Sequence, residues 1–233
     1  MPLNEQGYTL IDLPEITAAT EHSFGELGLD TYVPVKNRYR RFAQYRLDYA
    51  DGAWHFDRLP HRAYITYPKF NPVAGGIRRE YMPIENDFSD VIRVATDAIS
   101  LDPSSPWQIN VHQIRIVVKQ GEVEGVVVPE GAHKDGHEYV FIGVYTRHNI
   151  TGAEMTLRPD SDKDTPFLTA TLPAGQGVVI DDKNLWHDVT DIVPIDETQP
   201  AYRDTLIVSY SKWSDRWYGE QFEREALIAP QGA

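Results

Sequence analysis

Cysteine is absent from the 233-residue chain. Disulfides, thiolate zinc sites, iron–sulfur clusters and thiol nucleophiles are therefore excluded, and any metal must be held by His, Asp, Glu or carbonyl groups. Positive charge is scarce, since 22 Lys and Arg face 35 Asp and Glu for a formal net charge of -13. Such a field repels phosphate backbones and anionic lipid headgroups, which argues against nucleic acid and membrane partners. The one basic run, Arg38-Tyr39-Arg40-Arg41, is too short to overturn that balance and reads as a local feature. No apolar run approaches the ~18 residues of a membrane span, and the first seven residues form neither a basic nor an apolar leader, so a cytoplasmic protein is expected. Internal repeats, low-complexity tracts and Gly/Ser linkers are also missing.

What is present is the composition of a chain that folds, with 41% hydrophobic and 11% aromatic residues. The length is consistent with one core, so a single domain over 1–233 is expected. Between Pro14 and Gly28 apolar residues recur loosely at helical spacing, with proline placed for a start and glycine for a stop. From Arg38 to Tyr67 aromatic and apolar residues alternate with charged ones, broken at Asp51-Gly52, which predicts two antiparallel strands and a tight turn. Residues Asp87 to Leu101 put Phe88, Val91, Ile92, Ala95, Ala98 and Ile99 on one helical face. Past Pro106 helical periodicity stops. Short β-rich runs follow at 109–118, 124–128, 138–146, 154–158, 167–172, 177–180, 186–192 and 203–211, each bounded by turn residues. Eight strands without intervening helices predict a mainly β, α+β protein: a cupin-like jelly-roll core over 106–211, an N-terminal helical and hairpin layer over 1–105, and a tail over 212–233.

His133-Lys134-Asp135 lies between two predicted strands, and side chains two apart on an extended chain project to one side. A third ligand would complete a 2-His-1-carboxylate triad, which leaves positions open on Fe(II) for a cosubstrate and O2. His187 is the natural candidate. The triplet alone means little, because composition predicts about one His-x-Asp, and a second one occurs at His55-Phe56-Asp57. That second triplet sits in the N-terminal hairpin and reads as a surface pair. Order separates His133: its triplet follows the second β run, His187 enters the seventh and Arg203 opens the eighth. Arg203 and Thr205, two apart on one strand face, can together hold a carboxylate by charge-assisted hydrogen bonds, as a dicarboxylate cosubstrate would require.

With these residues in place the sequence resembles the Fe(II)/2-oxoglutarate-dependent dioxygenases of the double-stranded β-helix fold. More narrowly, Asn110-Val111-His112-Gln113-Ile114-Arg115, Pro129-Glu130-Gly131-Ala132-His133-Lys134-Asp135-Gly136 and Arg147-His148-Asn149-Ile150-Thr151-Gly152 are similar to the bacterial free L-amino acid hydroxylases related to isoleucine 4-hydroxylase. The resemblance covers about 105–211. It implies that His133, Asp135 and His187 bind Fe(II) and that Arg203, helped by Thr205, binds the distal carboxylate of 2-oxoglutarate. It implies further that 2-oxoglutarate is decarboxylated to succinate and CO2 while oxygen from O2 enters an unactivated C–H bond of a free amino acid, with ascorbate as a stimulant.

For substrate contacts the sequence offers Gln113 and Arg115, on one face of the first β-helix strand, and Asn149 in its turn. A buried Arg115 needs an anion, either a substrate carboxylate or a carboxylate of the protein. Asn149 can present its amide or serve turn geometry. His148 reads as a surface histidine, and Trp186 as packing on the face opposite His187. Trp213, Trp217 and Tyr218 either cover the barrel or build a subunit contact; the oligomeric state is open. Two other readings compete: the same chemistry on a carrier-bound or protein substrate, and a non-catalytic cupin-like metal or ligand-binding protein, which would have no need of Arg203 and Thr205.

Overall fold

The computed structural model describes residues 3–227. In chain order the elements are β1 (Tyr8–Asp12), α1 (Ala18–Ser23), β2 (Gly28–Leu29), β3 (Arg38–Ala50), β4 (Ala53–Arg58), β5 (Met82–Pro83), α2 (Ser89–Asp97), β6 (Trp107–Val118), β7 (Tyr139–His148), β8 (Ile150–Gly152) and β9 (Met155–Pro159). There follow β10 (Leu168–Ala170), β11 (Gln176–Asp181), β12 (Leu185–Val189), β13 (Ile192–Pro194), β14 (Ala201–Lys212) and α3 (Glu220–Ala226).

Nine strands form the main sheet, whose path runs β1-β11-β7-β14-β6-β3-β2, with β4 and β5 paired to β3. All its pairings are antiparallel except the short β3–β5 pair. Two smaller sheets, β10-β9-β12 and β13-β8, close the second layer. The pleat decides what each face does. One face of the main sheet, with Ala43, Leu47, Ile109, Val111, Phe141, Leu206 and Val208, packs against Val91, Ile92 and Ala95 of α2. The other face turns inward. There Val140, Ile142, Val144, Val178 and Ile180 meet Met155, Leu157 and Leu185 of the small sheets. At the other end of the interior Ile114 and Ile116 meet Ile150 and Ile192. This is a jelly roll with helices on its outer face.

The Asp51-Gly52 hairpin forms as expected, both residues having positive φ (53° and 79°), which two-residue hairpin turns need. Helix α2 is shorter than its periodicity, and Asp87 Oδ1 accepts the Ser89 N–H at its start. The first helix is corrected more strongly: only Ala18–Ser23 is α-helical, capped by Thr17, and a 3-10 turn follows over Phe24–Glu26. Residues 124–128 form no strand, only a single bridge from Gly125 to Ile192, and the run 186–192 divides into β12 and β13. Strand β1 has no counterpart in the sequence pattern. It is an edge strand without a buried residue, paired to β11, so it carries no hydrophobic alternation to read. In the tail, Trp217 is buried against Tyr67, Phe70, Phe222 and His137 and covers the barrel end. Residues 228–233 of that tail lie outside the described residues. No helix among the described residues is long and apolar enough to cross a membrane.

Gly136 is fixed by its surroundings. Its φ is +90°, and a Cβ there would stand 2.4 Å from Phe70 Cδ2. Gly136→Ala is expected to destabilise the fold by about 3 kcal/mol, adding left-handed strain to overpacking. Chemical denaturation measures this, and Phe70→Ala in the same chain is expected to recover the overpacking part.

Candidate active site

The inward face of the main sheet is built in rows. Antiparallel register sets Arg38 (β3), Ile116 (β6) and Arg203 (β14) side by side, and in the next row Arg40, Ile114 and Thr205. These six residues line one cavity of about 110 Å³ together with His133, Asp135 and His187. The apolar part of its wall continues through Val127, Val128, Ile142, Val189 and Ile207.

His133 lies in the loop before β7 and His187 in the middle of β12. A two-way backbone bridge ties them, His133 N–H to His187 O and His187 N–H to His133 O, both 3.0 Å. Their rings are 4.4 Å apart, centroid to centroid. Asp135 completes the cluster, Oδ1 at 3.5 Å from His133 Nε2 and Oδ2 at 3.8 Å from His187 Nε2. One ligand atom from each residue lies within 4.8 Å of the others, and no second such group of three occurs among the described residues. His133 Nδ1 is 2.8 Å from Gly131 O, a pure acceptor, so Nδ1 carries a proton, and Nε2, which faces Asp135, is the atom left to bind a metal once its own proton has gone. Burial opposes the imidazolium of His133, but the hydrogen bond and charge of Asp135 outweigh it and raise its pKa to about 9. His187 goes the other way: burial and the His133 charge lower it to about 4. Burial works against ionisation of Asp135 too, yet the neighbouring imidazoles hold its carboxyl well below the usual range. Two imidazoles and an ionised carboxylate, aimed at a common point, suit a divalent iron.

Asp182, 1% exposed, organises this loop. Its carboxylate accepts the backbone N–H groups of Asp135 (2.9 Å), Gly136 (2.7 Å) and His137 (2.9 Å), and stands 3.7 Å from His187 Nδ1. Burial and the charge of Asp135 push its pKa up to about 7 against those three donors. Asp182→Ala leaves three backbone N–H groups, that of His137 buried and those of Asp135 and Gly136 part-buried, without an acceptor. A loss of about 3 kcal/mol in stability is expected from that alone, with ~10–100-fold weaker metal binding because the ligand loop loses its anchor. Denaturation and metal titration calorimetry on one preparation read both.

Arg203 is 5% exposed, its Nε has no acceptor, and it makes no ion pair with any described residue. Burial, and then Arg147 nearby, lowers its pKa to about 10, which leaves it cationic at neutral pH. A buried guanidinium without an anion is costly unless a ligand supplies one. The dicarboxylate 2-oxoglutarate fits that requirement.

The expectation for Gln113, Arg115 and Asn149 is corrected: none of the three lines the cavity. Gln113 and Arg115 alternate with Ile114 and Ile116 and so face the outer side. There Gln113 Nε2 donates to Ser23 Oγ at 2.8 Å, and Arg115 binds Asp204 through two bonds of 2.6 and 2.7 Å while stacking on Tyr202. Asn149 has φ +52° and staples its turn to the 196–200 loop, donating to Asp196 O and accepting Asp196 N–H. His148 is exposed against Tyr202, Trp186 lies under the Lys134 ammonium, and His55 is exposed in the hairpin. Sequence reasoning missed Asp182 and the polar side of the cavity, Arg38, Arg40, Tyr64, Arg79 and Glu130. A signal existed for two of them. Arg38 and Arg40, two apart on a strand, share a face.

Jelly roll, ligand cluster and unmatched arginine together define an oxygenase of the Fe(II)/2-oxoglutarate class. The chain belongs to the 2OG-Fe dioxygenase family, which matches residues 21–209. Its chemistry uses Fe(II) and 2-oxoglutarate, with O2 and a small-molecule substrate. In fold the chain is similar to a bsmA homolog from Methylobium petroleophilum PM1, with a TM-score of 0.74 and 22% identity over 91% of this chain and 95% of that one. It is also similar to IDO from Bacillus thuringiensis, at TM-score 0.69 and 18% identity over 89% and 94%. A third likeness is to the Fe(II)/(alpha)ketoglutarate-dependent dioxygenase TqaL, at TM-score 0.54 and 14% identity over 88% and 82%. No curated protein matches the chain.

Proposed function

We propose that the protein hydroxylates an unactivated C–H bond of a free L-amino acid, with His133, Asp135 and His187 holding Fe(II) and Arg203 with Thr205 holding the distal carboxylate of 2-oxoglutarate. The observation that carries this reading is that all five side chains line one cavity of about 110 Å³, in which Arg203 makes no ion pair with any described residue. When bound, iron and 2-oxoglutarate supply O2 activation coupled to decarboxylation to succinate and CO2.

The chain's own groups orient and exclude. Gly131 O fixes the His133 tautomer, and the His133–His187 bridge holds both imidazoles whether or not a metal is present. Asp182 fixes the backbone on either side of Asp135. Arg203 and Thr205 meet a carboxylate from one strand face, and Ile114, Ile116, Ile142 and Ile207 keep water from its hydrocarbon part. A free amino acid as substrate is in keeping with the three sequence blocks that are similar to free amino acid hydroxylases.

The test is succinate formation from 2-oxoglutarate with Fe(II) and ascorbate, run against the protein amino acids plus ornithine, citrulline and pipecolic acid, with mass analysis of products. One stimulated amino acid gaining a single oxygen is expected. Succinate with no stimulated amino acid removes the substrate assignment and keeps the oxygenase. Bound iron without any succinate leaves the non-catalytic metal-binding reading.

A further inference from the structure

Beyond the five residues just assigned, the cavity holds two further guanidinium groups that make no ion pair with any described residue, that of Arg38, which donates from Nη2 to Val127 O at 2.6 Å and has the charge of Glu130 acting on it, and that of Arg79. Arg79 is 2% exposed, lines the same cavity as the ligand cluster, and forms no ion pair with any described residue. Its Nη2 donates to Thr66 Oγ1 at 2.5 Å, its plane lies 4.4 Å from the Tyr64 ring centroid, and its Nε has no acceptor. Arg40 differs, since it stands 3.9 Å from the buried Asp30 and reaches the same carboxylate through the Tyr81 hydroxyl. Arg203 is answered by the cosubstrate in the proposed function, and 2-oxoglutarate has only one distal carboxylate to give. Arg79 therefore requires an anion from another molecule.

The same wall carries a group of opposite sign, the half-buried Glu130, whose charge acts on Arg38 and His133 and one of whose oxygens has no donor. Glu130 Oε1 accepts a bond from Asn71 Nδ2 at 3.3 Å, while Oε2 is buried with no donor. A buried guanidinium without an ion-pair partner among the described residues and a carboxylate with one buried oxygen lacking a donor, both facing one cavity, are complementary to a zwitterion.

We propose that Arg79 binds the carboxylate and Glu130 the ammonium of the substrate, so that the enzyme reads an amino acid by its two headgroups. This rests on the free amino acid reading above and assigns the residues that would enforce it. Selection falls out of the chemistry. A site that pairs both headgroups rejects a substrate lacking one of them far more strongly than it rejects a change of one methylene in the side chain, which is worth only ~10–200-fold.

Binding tests this apart from turnover. The full chain, loaded with Mn(II) and 2-oxoglutarate, is titrated calorimetrically with each free amino acid, and the tightest binder is compared with its α-amide and its α-hydroxy acid. Both analogues are expected to bind at least ~30-fold more weakly, the loss that follows removal of one partner of a buried charge pair. Arg79→Gln and Glu130→Gln are expected to weaken the free amino acid by a similar factor while 2-oxoglutarate affinity stays within about twofold. Arg79→Lys guards against misfolding and is expected to restore part of the loss. Equal binding of the amide overturns the role of Arg79, and equal binding of the hydroxy acid overturns that of Glu130. A folded Arg79→Gln with unchanged affinity, or a wild type that binds 2-oxoglutarate but no free amino acid, overturns the headgroup site. Amino acid binding that depends on Arg79 with no succinate formed in the turnover assay keeps the headgroup site and removes the proposed reaction.

Discussion

Replacing Asp135 with alanine is expected to reduce turnover by at least ~10³-fold and to weaken iron binding by more than the ~10–100-fold typical of groups that merely support a ligand. The carboxylate is the one anionic donor of the cluster, and both imidazoles lean on it, His133 at 3.5 Å and His187 at 3.8 Å. Without it the site has two neutral donors for a divalent cation. The loop itself is expected to survive, because its backbone is held by Asp182 through the N–H groups of Asp135, Gly136 and His137. Metal titration of the variant, with a melting curve to establish folding, checks the expectation. Turnover above one tenth of the wild-type value would remove Asp135 from the ligand set.

Arg203→Met separates cosubstrate binding from folding. The affinity for 2-oxoglutarate is expected to fall ~100-fold, as when one member of a buried charge pair is truncated. Iron affinity is expected to change little, since Arg203 contacts none of the three ligands by hydrogen bond or ion pair among the described residues. Stability of the ligand-free chain is expected to stay level or rise, because the substitution replaces a buried cation without an anion by an apolar side chain of similar length. A structural arginine would behave oppositely and lose stability. Titration with 2-oxoglutarate in the presence of Mn(II), beside a denaturation curve without ligands, distinguishes the two.

The parts of the site that sequence could disclose are those fixed by local geometry. His133 and Asp135 share a side because they are two apart, and turn residues delimit most of the barrel strands. His187 needed only chain order to be placed opposite them. What escaped depends on which strands become neighbours. Arg38 and Arg40 share a face by the same alternation, but only the β3–β6 register sets them beside Ile116 and Ile114, inside the barrel and not on its surface. Arg115 is half-buried, and the anion it pairs with is a carboxylate of the protein, the adjacent-strand Asp204, because the β14–β6 register sets them directly opposite. Asp182, in Asp181-Asp182-Lys183-Asn184, has the composition of a surface turn, and its three backbone donors come from a segment more than forty residues away.

The cavity's arginines also bear on how quickly a ligand arrives. Arg38, Arg40, Arg41, Arg79 and Arg203 are buried, as are Asp30, Asp182, Asp204 and Glu223, so the interior is formally slightly positive and the solvent-facing shell carries the whole excess of -13. A dianion such as 2-oxoglutarate thus meets a repulsive exterior before it reaches a basic interior. Repulsion at long range is screened by salt, with a Debye length of ~10 Å at 0.1 M, while attraction inside the cavity is screened much less. Added salt is therefore expected to weaken the repulsion at long range more than the attraction within the cavity.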